Sequence, residues 1–78
     1  MIRKSEKTVI TFYTTTDAME MENLCRRQSL AGRMIPVPGE ITADCGLAWC
    51  AQPQQEAALL AAMDTSGIPF QGVYRLMV

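Results

Sequence analysis

No histidine occurs anywhere in the 78-residue chain. That absence excludes an in-chain Cys-His dyad, a Ser-His-Asp triad and any His-ligated metal site. A large charge of either sign is also missing. The formal net charge is -1 and the sequence pI about 5.2, so no strongly basic face advertises nucleic-acid binding, and the pair Arg26-Arg27 is too small to change that. No apolar run approaches the roughly 20 residues that cross a bilayer. The basic start Met1-Ile2-Arg3-Lys4 runs on into Ser5-Glu6-Lys7, so neither a signal peptide nor a membrane anchor is expected. Cysteine is sparse rather than absent. Three residues without tight spacing argue against a disulfide scaffold and for a reducing, cytoplasmic setting. No cofactor or metal is expected.

What the chain does have is one domain's worth of patterned sequence. Residues 7–78 read as the folded part, with residues 1–6 as a flexible lead. A domain this short buries only roughly 60% of its unfolded surface, so a homo-oligomer would be a natural way to cover apolar area. Thr8 to Thr14 alternates β-branched and aromatic residues, with Thr8, Ile10 and Phe12 on one face and Val9, Thr11 and Tyr13 on the other. That is a strand. Asp17 with Glu20 three residues on predicts a helix start, and Ala18, Met21, Leu24, Cys25 and Gln28 follow helical spacing. Gly32 is the expected left-handed terminator. Arg33 to Val37 reads as a second strand, confined to an edge by its proline.

Pro38 to Asp44 is a connecting loop and Leu47 to Ala51 an apolar third strand. Pro53 suits the first turn of a second helix, whose packing residues are Ala57, Leu59, Leu60, Ala61 and Met63. Ser66-Gly67 ends it, and Ile68 to Val78 holds the last strand, broken at Gly72. The order predicts an α+β fold: a ferredoxin-like split β-α-β-β-α-β unit with one antiparallel sheet and two helices on one face. Strands one and three are then central antiparallel neighbours. Thr15 and Thr16 fall beside Cys45, at the end of the sheet where the first helix begins.

Cys45 is the residue on which chemistry most plausibly rests. It stands in Asp44-Cys45-Gly46-Leu47, where a small neighbour and a loop–strand junction predict open access. The helix N-terminus favours a thiolate there, whereas Asp44 and Glu40 oppose one. Thr15 and Thr16 hydroxyls and the Gly46 backbone are candidates to hold a sulfur species. Cys25, on an apolar helix face, and Cys50, inside an apolar strand, read as core. A Cys45–Cys50 disulfide is excluded if one strand runs through both, since about 3.3 Å per residue sets them roughly 16 Å apart on opposite faces.

In order along the chain, Thr11-Phe12-Tyr13-Thr14-Thr15-Thr16-Asp17-Ala18-Met19, Gly32-Arg33-Met34-Ile35-Pro36-Val37-Pro38 and Cys45-Gly46-Leu47-Ala48 resemble the small bacterial selenium/sulfur carrier-like proteins. The resemblance covers roughly residues 9 to 51. It implies a carrier thiol at Cys45, holding sulfur or selenium as a persulfide or selenosulfide for transfer between donor and acceptor proteins, rather than a stand-alone enzyme. Two departures make the loop less positive than in that family: Gly39 replaces a basic residue, and Ala43-Asp44 replace hydroxyl residues. The alternative is a non-catalytic interaction or oligomerisation module in which Cys45 is structural. Its sticky surface would be the uncovered sheet face, with Val9, Tyr13 and part of the Trp49 strand.

Overall fold

The computed structural model describes residues 4–78. Its elements run β1 (Glu6–Thr11), α1 (Thr15–Gln28), β2 (Arg33–Pro36), β3 (Leu47–Ala51), α2 (Glu56–Ser66) and β4 (Gly72–Met77), with a single 3-10 turn at Pro53–Gln55 leading into α2. The strands form one four-stranded antiparallel sheet in the order β2-β3-β1-β4. β1 and β3 are therefore the central pair, and β2, with its proline, lies on an edge. Among the described residues, no helix is long and apolar enough to cross a membrane.

β1 begins and ends earlier than the alternation suggested. Glu6 pairs with Met77, and Ser5 exchanges backbone hydrogen bonds with Val78, a partnership between chain ends that no local pattern announces. The expected flexible lead falls partly on residues 1–3, which lie outside the described residues. At its other end the strand gives way to the cap of α1. Thr14, not Asp17, is the N-cap: its Oγ1 accepts the Asp17 N–H at 3.1 Å. Asp17 occupies the third helical position, where its charge suits the positive helix end.

The end of α1 differs as well. Ser29 takes the left-handed conformation at φ 54°, doing the work assigned to Gly32. Gly32 has a positive φ of 119° for another reason: a Cβ there would lie 2.7 Å from the Cys50 carbonyl oxygen and against the Trp49 indole. That indole is 5% exposed and donates its N–H to the Ala31 carbonyl at 3.1 Å. The α1–β2 connection is thereby fastened to β3.

Strand alternation sorts the side chains into two layers. Ile10, Phe12, Trp49 and Ala51 join Ala18, Met21, Leu24 and Cys25 of α1 and Leu59 and Met63 of α2 in one core cluster. The core lies between that sheet face and the helices. On the opposite face, registered pairs bring Val9 beside Cys50 and Thr11 beside Ala48. These small residues are almost inaccessible, Val9 and Thr11 fully so, although no helix covers them. Longer neighbours on the outer strands shield them: Arg33 and Ile35 on β2, Tyr74 and Leu76 on β4. Of the residues expected to make that face sticky, Val9 is shielded and Tyr13 is exposed; Trp49 itself belongs to the helix layer, while its strand neighbours Ala48 and Cys50 lie on the uncovered face.

Candidate functional site

Cys45 closes the loop between β2 and β3, and that loop is tied to the end of the sheet by backbone groups. Val37 N–H donates to the Gly46 carbonyl at 3.1 Å, and Cys45 N–H to the Phe12 carbonyl at 3.3 Å. Asp44 N–H donates to Gln71 Oε1 at 3.0 Å. Together these place Cys45 where β1 passes into α1, the end of the sheet predicted for it.

Open access is not what results. Cys45 is 3% exposed and part of the core cluster. Gly46 does provide an uncrowded backbone, since a Cβ there would meet nothing within 4 Å. The thiol, however, turns away from that open side and under the first turn of α1. A small following residue clears space beside the chain without deciding where the preceding side chain points.

Of the residues expected around the thiol, Thr15 arrives. Its Oγ1 lies 3.9 Å from Cys45 Sγ, at the edge of hydrogen-bonding distance for sulfur. Thr16, one position further on, is exposed, and among the described residues no hydrogen bond joins it to the thiol. Gly46 contributes its carbonyl to the loop tie. The sulfur also accepts the Leu47 N–H at 3.4 Å, a contact the sequence did not reveal because every residue carries that group. The Phe12 carbonyl and the Gln71 side chain were missed too. Gln71 stands just before β4, 26 positions beyond Cys45 by its number, with no motif to connect them.

The other two thiols make the comparison sharper. All three cysteines are free, and Cys25 and Cys50 are each 4% exposed, so access alone does not rank them. Cys25 lies among apolar side chains, and burial pushes its thiol up from 9.0 to about 11. Cys50 lies on the opposite face of the sheet, paired with Val9 and Arg33. Among the described residues, only Cys45 has hydrogen-bonding partners at its sulfur, which accepts the Leu47 N–H and lies within reach of the Thr15 hydroxyl.

A shallow depression of about 430 Å³ is lined by Cys25, Leu30, Arg33 and Trp49 among others, near the far end of α1.

A family model described as "Putative Se/S carrier protein-like" matches residues 7–75. The chain belongs to that family. The match extends beyond the residues that carried the resemblance, through α2 and into β4, so it spans the sheet, both helices and the loop bearing Cys45. No curated protein and no solved structure matches the chain. Membership in this carrier-like family fits a protein that meets other proteins.

Proposed function

We propose that the protein carries sulfur or selenium on Cys45 as a persulfide or selenosulfide. One observation supports this above all: of three similarly buried thiols, Cys45 alone has, among the described residues, a backbone N–H and a hydroxyl at its sulfur. The Cys45 thiolate attacks the outer sulfur of a donor protein's persulfide. A bond forms between Cys45 and that sulfur while the donor's S–S bond breaks, the donor departs as a thiolate, and the outer atom keeps its proton. Electrons balance without an oxidant. Release to an acceptor thiolate repeats the exchange, and selenium replaces the outer atom in the selenosulfide case. A histidine-free chain suits this role, because the partner supplies any acid or base.

Transfer requires the loop from Val37 to Gly46 to lift, exposing the sulfur. The few hydrogen bonds that hold it make it a candidate for local opening below the cost of global unfolding. The same reading takes the fold as the ferredoxin-like split unit, supported by two strand–helix–strand halves and a central β1–β3 pair. Free thiols in a reducing cytoplasm belong to it as well.

A second reading is favoured by the burial itself: at 3% exposure, Cys45 also suits a structural residue in an interaction module. A loading assay separates the two. The chain is mixed with a persulfide carried on an uncharged cysteine peptide, capped with an alkylating reagent and mapped by peptide mass. A carrier gains one sulfur on the Cys45 peptide and none on the Cys25 or Cys50 peptides. An unloaded Cys45 supports the structural role.

A further inference from the structure

Charge is segregated along this molecule to a degree that its net value of -1 conceals. At the thiol end stand Asp17 and Glu20 in the first turns of α1, Glu40 and Asp44 in the loop, and Asp64 in the last turn of α2. Among the described residues, none of these carboxylates has an ion-pair partner. The carboxylates elsewhere are paired: Glu22 with Arg26 at 3.7 Å, Glu6 with Arg75 at 3.7 Å, and Glu56 with Arg75 at 3.1 Å.

The described cations all arise from the other half. Lys4 and Lys7 lie at the start of β1, Arg26 and Arg27 in the last turn of α1, and Arg33 opens β2. Arg75 pairs with Thr8, near the start of β1. Arg33 pairs with Cys50, three strand positions or roughly 10 Å from Leu47 at about 3.3 Å per residue. Arg27 reaches furthest toward the thiol end, sharing a shallow depression with Glu20 and Ser66.

Apolar side chains are exposed at the acidic end too. Tyr13 is 50%, Met19 56% and Phe70 39% exposed. Tyr13 follows the end of β1 and Phe70 precedes β4, so both emerge from the sheet edge that carries the Cys45 loop. Exposed aromatics within a ring of unpaired charge have the make-up of a docking surface, with apolar anchors and a polar rim. The sign of the rim selects the partner.

We propose that the thiol end docks a protein face rich in lysine and arginine with an apolar centre, and that this contact, resting on the carrier reading, brings donor or acceptor to Cys45. The field of five unpaired carboxylates steers a cationic surface inward and turns anionic ones away. Free anionic sulfur or selenium species are accordingly disfavoured as direct donors. The chalcogen arrives on a protein.

The test uses the full chain carrying Cys45→Ser, so that binding is read without thiol chemistry. Two fluorescent peptides serve as probes, one alternating arginine with leucine and one alternating glutamate with leucine. Anisotropy titrations at low salt should show the arginine peptide binding at least about tenfold tighter, with the difference collapsing as salt screens it. Glu40→Gln with Asp44→Asn should bring the arginine peptide to within about twofold of the glutamate one, whereas Glu6→Gln at the far end changes nothing. Backbone amide shifts should map to Tyr13, Asp44 and Phe70. Equal affinities, an unchanged affinity in the Glu40/Asp44 variant, or shifts centred on Lys7 and Arg33 would each overturn the docking surface. Loading of wild-type Cys45 is scored separately. A loaded thiol without selective docking removes this surface and leaves the carrier, and selective docking beside an unloaded thiol does the reverse.

Discussion

Cys25 and Cys45 are both almost fully buried and both in the same core cluster, one on α1 and the other beside its first turn, yet they are chemically different groups. Cys25 packs within the core cluster, and desolvation pushes its thiol up to about 11. Cys45, packed under the opposite end of the helix, has the Leu47 N–H 3.4 Å and the Thr15 hydroxyl 3.9 Å from its sulfur. Accessible area does not distinguish the two. What distinguishes them is whether hydrogen-bonding groups reach the sulfur, and that follows from the end of the helix at which each one lies.

The largest expected consequence concerns reaction rate. With its thiol at about 11 instead of 9.0, Cys25 holds about a hundredfold less thiolate at neutral pH than an ordinary cysteine, and only the thiolate reacts. Time-resolved alkylation of the native protein, read by peptide mapping, should label Cys45 well ahead of Cys25. Simultaneous labelling of the two would show that global unfolding, not local environment, governs both.

Next comes stability in alkali. Below pH 9.0 the folded and unfolded chains both keep the Cys25 proton, so the residue adds no pH dependence. Above it the unfolded chain releases that proton while the folded chain holds it up to about 11, so stability falls as pH rises through this window. Cys25→Ala should flatten that decline even though it lowers stability at neutral pH by leaving a small cavity. Denaturant melts at several pH values read the slope. An unchanged slope would mean that Cys25 is not the group responsible.

A smaller effect sharpens the Cys45 side. Thr15→Val keeps the shape of the residue and removes the hydroxyl near the sulfur. It should slow Cys45 labelling by a few-fold and change stability by no more than about 1 kcal/mol. Cys25 labelling should not move. Smallest of all is the far-end control. Arg75 and then Thr8 hydrogen-bond Glu56 and hold its carboxyl below the usual 4.5, a stabilisation present above that pH and lost as pH falls through the lower folded value. Glu56→Gln should therefore flatten the acid limb of the stability profile and leave both thiols unchanged.

Much of this architecture was legible in the sequence because it is local. Helical spacing of Ala18, Met21, Leu24 and Cys25, alternation in β1 and Gly67 at the end of α2 all register nearest-neighbour physics, and each reappears in the structure. The approach of Thr15 to Cys45 was readable too, since element order alone sets strands one and three side by side. Side-chain direction was not. Whether Cys45 faces out beside Gly46 or in under α1 depends on the loop ties from Phe12 and Gln71, contacts between residues far apart in the chain. Val9 was misjudged for a similar reason. Its shielding comes from long side chains on β2 and β4 that only the strand register brings beside it.

The most direct test of a carrier at Cys45 is the mass of the protein purified from cells without reductant, capped with an alkylating reagent and mapped peptide by peptide. The expected result is one additional sulfur or selenium atom on the peptide containing Cys45, removed by a thiol reductant, with Cys25 and Cys50 unmodified. Cys45 found only as a bare thiol, under conditions that preserve persulfides on other proteins from the same cells, would contradict it.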